Sequence, residues 1–144
     1  MSFFLSVLLL ISQVIAPVWL LDFSEAQEQA KKEHKQLLLN FSGSDWCGPC
    51  IRLTKDVFQS PEFEELAAKE LVLVRADFPR SKKNQISREQ QDRNDVLAER
   101  YNSKGSFPLT LLLDENGVVI KSWEGYPENK ASGFLNELRT LTHE

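Results

Sequence analysis

The chain is short of sulfur and imidazole. Its 144 residues include two cysteines, Cys47 and Cys50, and two histidines, His34 and His143. Two cysteines cannot make a framework of structural disulfides. A tetrahedral zinc site would need both histidines, which lie far apart and at no ligand spacing, so neither a metal nor another cofactor is expected. Positive charge is also scarce. Lys and Arg total 17 against 21 Asp and Glu, a net charge of −4, with both signs spread along the chain. That balance disfavours DNA or RNA as a partner. No internal repeat and no low-complexity segment is present, and the length suits one domain. The 42% of apolar residues is enough for one sizeable core.

Charge of either sign is absent before Asp22. Phe3 to Ile11 is apolar except for Ser6, and Val14-Ile15-Ala16 offers a cleavage site, so residues 1–16 read as a secretory signal peptide. Against this, the segment has no Lys or Arg, and Pro17 follows the proposed site. The apolar character resumes at Val18-Trp19-Leu20-Leu21, and Phe3 to Leu21 is long enough to cross a bilayer. A retained membrane anchor and a buried core segment are therefore the alternatives. The folded domain is expected over 22–144, outside the cytoplasm.

The chemistry gathers at Trp46-Cys47-Gly48-Pro49-Cys50. The apolar run Leu37-Leu38-Leu39-Asn40-Phe41 before it reads as a buried strand, and Ile51 to Phe58 after it as a helix. Cys47 then falls at a helix start and Pro49 in the first turn, where a missing N–H costs nothing. Thiols at i and i+3 of a first turn are close enough to bridge. The unpaired N–H groups and partial positive charge there favour thiolate, by about one pKa unit. Cys47, exposed at the helix start, is expected to be the nucleophile and Cys50 the resolving thiol. A zinc pair and an inert relic on a binding module are the competing readings.

Elsewhere, Ser24-Glu25-Ala26-Gln27 has the form of a capping box opening a short helix with Ala26 and Ala30 on one face. Gln36 to Ser42 is the first core strand. The active-site helix runs to Phe58, and Ser60-Pro61-Glu62 opens another ending near Glu70. Leu71 to Asp77 is a strand. Arg80 to Arg93 is polar, with five basic and two acidic residues, and reads as a solvated loop or as a docking surface for an acidic partner. A helix runs from Ser87 to Tyr101, and Asn102-Ser103-Lys104-Gly105 is a turn. Pro108–Leu113 and Val118–Trp123 form a hairpin through Asn116-Gly117, and Pro127 opens a last helix. The fold class is α/β, a central mixed sheet of about four strands with helices on both faces.

Trp-Cys-Gly-Pro-Cys resembles the active site of the thioredoxin family letter for letter, and the order of elements from about Phe23 to Leu141 is similar too. Phe41 to Cys47 and Ala76-Asp77-Phe78-Pro79 look most like the exported bacterial members, DsbH-type periplasmic reductases among them. The resemblance implies a thiol–disulfide oxidoreductase, here a dithiol reductase because of its Gly-Pro dipeptide, with a disulfide isomerase and a redox-sensing or metal-handling module as alternatives. It implies that Trp46, Gly48, Pro49, Phe107 and Pro108 contact substrate, with Phe107-Pro108 cis and facing the cysteines. The substrates are expected to be disulfide-containing proteins or small molecules and the protein a monomer; net reduction outside the cytoplasm requires an electron donor, expected in the membrane. The family's buried Asp, a proton acceptor beneath the resolving cysteine, is replaced by Asn40, which cannot take a proton. No Lys in Leu71 to Val74 replaces that acid's usual partner.

Overall fold

A computed structural model describes residues 15–142; the proposed signal lies mostly outside them. The apolar runs pair as expected. β2 (Gln36–Ser42) and β3 (Leu71–Asp77) are parallel and in full register from Gln36↔Leu71 to Ser42↔Asp77. β4 (Leu109–Leu113) runs antiparallel to β2, and β5 (Val119–Glu124) antiparallel to β4. Between the last two, Gly117 turns at φ 81°, a conformation open to a residue without Cβ.

The sheet has five strands rather than about four, in the order β1-β3-β2-β4-β5. The additional strand is β1, Trp19–Leu20, parallel to β3. Two residues carry no detectable alternation, so the sequence shows them only as a continuation of the apolar leader. The sheet thus begins before position 22. Among the described residues no helix is long and apolar enough to cross a membrane.

Helices cover both faces. α1 (Phe23–Glu33) buries Ala26 and Ala30 with Leu37, Leu39, Phe41, Val72 and Val74. α4 (Arg88–Tyr101) adds Leu97 and Tyr101 at the margin of this cluster. On the opposite face, α2 (Gly48–Leu53), a π-helical segment (Thr54–Phe58), α3 (Pro61–Glu70) and α5 (Lys130–Thr142) enclose Leu38, Leu53, Val57, Phe58, Phe63, Leu73, Leu112 and Phe134. This second face carries the cysteine pair.

Three element boundaries differ from expectation. Asp22, not Ser24, caps α1 by accepting the Glu25 N–H at 3.0 Å. The helix after the cysteines changes to π geometry at Thr54, which sets Val57 and Phe58, neighbours in sequence, both in the core. Pro127 lies in a turn ahead of α5, because Lys130 has a positive φ of 63° that interrupts helical continuity.

Candidate active site

Cys47 and Cys50 are joined in a disulfide, with Cα atoms 5.2 Å apart. Cys47 is the N-cap of α2, and its sulfur accepts the Cys50 N–H at 3.3 Å. The Gly43 N–H reaches the Cys50 sulfur at 3.5 Å, and the Cys47 N–H bonds the Gly43 carbonyl at 2.9 Å. A tight loop therefore ties both cysteines to the end of β2. Gly43 must be glycine, since a Cβ there would collide with the Trp46 indole. Gly48 and Pro49 are exposed, but Cys47 is only 5% exposed and Cys50 2%. The expectation of an open Cys47 is corrected: in the disulfide both cysteines are buried.

Around the pair stands an aromatic rim. The Trp46 indole is half-buried and donates its Nε1–H to the Phe78 carbonyl at 2.7 Å. Phe107 meets both Trp46 and Phe78 edge-on, at centroid distances of 5.6 and 5.4 Å. The Phe107–Pro108 peptide bond is cis. Asn102 shapes the loop before it, accepting from the Ser106 N–H and donating to the Ser106 carbonyl, both at 2.9 Å.

Asp45 fastens the basic stretch to this rim. Its carboxylate accepts the Arg80 N–H at 2.9 Å, the Ser81 N–H at 2.8 Å and the Asn84 side-chain amide at 3.0 Å. These bonds, the Arg80 N–H foremost, hold its pKa below the usual carboxylate value. The Arg80 guanidinium then lies over the Trp46 ring, 3.6 Å from its centroid. The beginning of Arg80 to Arg93 is thus attached to the site rather than free of it. Asp77 adds a further tie, accepting from the Ser44 N–H and hydroxyl.

Below the pair the strands form a floor. Asn40 is buried and lies in register with Thr110 on one side and Arg75 on the other. Its side-chain amide donates to the Thr110 hydroxyl at 3.1 Å, so it bonds a side chain across the sheet. Asn40 does not line the cavity that reaches Cys50. That cavity, about 270 Å³, is bounded by Ser42, Ser44, Cys50, Ile51, Thr54, Lys55, Gln59 and Arg75.

Arg75 is the residue that the sequence reading passes over, one position beyond the apolar run inspected for a basic partner. Its guanidinium stacks 4.3 Å above the Trp19 ring and 5.8 Å from that of Phe58. Trp19 in turn packs on Phe58 and Phe63, at 5.0 and 6.3 Å. Nε and Nη2 of Arg75 are buried without a hydrogen-bond partner. Burial lowers its pKa and the Asp77 charge opposes that shift, yet a guanidinium remains charged in proteins. A signal was present: one cation inside Leu-Val-Leu-Val-Arg-Ala-Asp, at the period-2 position of a buried strand face.

A vicinal cysteine pair at a helix start, able to close to a disulfide beneath an aromatic rim, is suited to thiol–disulfide exchange. Comparison with known proteins agrees. Disulfide bond reductase DsbH of Chlamydia pneumoniae is 39% identical over 118 residues, spanning 82% of this chain and 69% of that protein. The thioredoxin-related protein DsbJ of the same organism is 43% identical over 61 residues, 42% of this chain and 18% of that one. Among solved structures, a DsbH oxidoreductase superposes with a TM-score of 0.79 at 28% identity, covering 97% of this chain and 93% of that one. A Thermus thermophilus thioredoxin, at 20% identity, covers 88% of each chain with a TM-score of 0.64 and shares the fold. A family model described as thioredoxin-like matches residues 18–114. The chain belongs to the thioredoxin-like family and is a thiol–disulfide oxidoreductase.

Proposed function

We propose that the protein is a dithiol reductase of disulfides outside the cytoplasm. The Cys47 thiolate attacks a substrate disulfide, the leaving thiolate takes a proton, and a mixed disulfide forms. Cys50 then displaces the second substrate thiol and closes the Cys47–Cys50 bridge, which a membrane electron donor reduces again. The observation that carries this reading is the cysteine pair capping α2 next to Trp46, which itself packs on the residue before cis-Pro108. Similarity to a protein named disulfide bond reductase favours the reducing direction, and the uncharged, apolar residues 1–16 favour export.

The rim also suggests a preference among substrates. Arg80, Lys82 and Lys83 are exposed, and no ion pair engages them among the described residues. Disulfides flanked by acidic residues suit such a surface. The deciding assay is insulin reduction with dithiothreitol as electron source. The wild type should accelerate precipitation of the insulin B chain and Cys47→Ser should not. A wild type without effect would favour a binding module. Efficient reshuffling of a scrambled disulfide protein, with weak net reduction, would favour an isomerase.

A further inference from the structure

We propose that Arg75 is the positioning residue for the resolving step, its partly buried guanidinium favouring the thiolate of Cys50 in place of a carboxylate acting as a base. The inference rests on the thiol–disulfide reading above and concerns the second half of that cycle.

Two observations meet here. The neutral side chain at the expected proton-acceptor position, Asn40, donates to Thr110 and does not line the Cys50 cavity. The side chain that does share that cavity is a cation, with two N–H groups sealed from both solvent and acceptor. Aromatic rings cover it: Trp19 at 4.3 Å, backed by Phe58 and Phe63. A charge partly screened from water acts more strongly on its neighbours than a fully exposed one.

The other charges around Arg75 are of both signs. Lys55, from the π segment, lines the cavity as a second cation. Asp77, two residues along β3, is the opposing charge; its oxygens are held by the Ser44 N–H and hydroxyl and by the Phe78 N–H. From β1 and α3 the neighbours are Trp19 and Phe63, and from β2 Asn40 and Ser42, none of them charged.

In the step itself, Cys50 loses its proton to water at the cavity mouth. The thiolate attacks the Cys47 sulfur, the Cys47–substrate bond breaks, and the departing thiolate takes a proton. The two electrons of the dithiol end on the two substrate sulfurs, and a Cys47–Cys50 bond replaces the substrate's. Burial alone would hold Cys50 as a thiol, whereas a nearby cation reverses that by about a unit or more. Lowering a thiol's pKa by one unit raises its thiolate about tenfold and cuts its nucleophilicity about threefold, a net gain of about threefold while the pKa lies above ambient pH.

The test is stopped-flow reaction of the reduced full chain with dithiodipyridine, a neutral disulfide that releases one chromophore on attack by Cys47 and a second on resolution by Cys50. For Arg75→Met, which keeps bulk and removes charge, the pH midpoint of the second phase should rise by about one unit and its rate near neutral pH should fall about threefold. Arg75→Lys should restore the wild-type midpoint in large part. A midpoint unchanged in Arg75→Met, or both phases slowed equally without a shift, would overturn the proposal and leave Arg75 a packing residue. If Arg75→Met does not fold, Arg75→Lys and Arg75→Gln make the same comparison of charge retained and charge removed. Absence of the second phase in the wild type would instead refute the underlying thiol–disulfide reading.

Discussion

The rim and the floor of the site are built by different means. The floor is made by strand register: Arg75, Asn40 and Thr110 stand side by side because β3, β2 and β4 pair there, and Trp19 closes over Arg75 because β1 adds to the same sheet. The rim is made by loops fastened to one another through single polar groups, the Asp45 carboxylate, the Phe78 carbonyl and the Asn102 amide. Register is supported along a whole strand, whereas a loop tie depends on a few atoms. The floor should therefore govern stability and the rate of resolution, and the rim substrate entry.

Trp19→Ala tests the floor most severely. It removes the cover of Arg75 and the contacts with Phe58 and Phe63, and it should cost about 3 kcal/mol, read as a lower urea midpoint. A loss under about 1 kcal/mol would be that of an ordinary surface position and would make β1 peripheral. Gly43→Ala tests the hinge between the two regions. The added methyl should displace the Trp46 indole from the Phe78 carbonyl, with a loss of about 1–3 kcal/mol and a shift in tryptophan emission. Unchanged emission would show that the loop yields instead.

Asp45 makes the rim sensitive to acid. Its folded pKa lies below the unfolded value of about 3.9, so its contribution is complete above that value and disappears as pH falls through the folded pKa. Tryptophan emission should change over this acid range in the wild type. Asp45→Asn should already show the loosened rim at neutral pH and lack that acid transition; an identical transition in both would remove Asp45 from the account. Lys82→Glu/Lys83→Glu should give the smallest effect. Its preference for acidic over basic disulfide peptides should fall about threefold at low salt and match the wild type at high salt, as screened surface charges require. A salt-independent preference would point to shape rather than charge.

The two regions also differed in legibility. Alternation and apolar runs located β2 to β5, and the cysteine motif located the site because its spacing is itself the chemistry. Capping residues such as Ser60 and Ser87, which accept the Phe63 and Gln90 N–H groups, were visible because their signals are local. β1 was not visible, since two residues have no period. The reach of Asp45 to Arg80 and of Trp46 to Phe78 was not visible either, because contacts between loops far apart in sequence leave no pattern in either loop. Arg75 lay in plain sight, but its importance appears only when register sets it beside Asn40 and the cavity joins it to Cys50.

The central claim is a division of labour, with Cys47 receiving substrate at the rim and Cys50 resolving it over the floor. Trapping tests it most directly. Reduced Cys50→Ser and Cys47→Ser are each offered a disulfide substrate, and the adducts are mapped by mass spectrometry. Cys50→Ser should accumulate a stable mixed disulfide at Cys47, while Cys47→Ser should form little or none. Faster or equal capture through Cys50 would contradict the account.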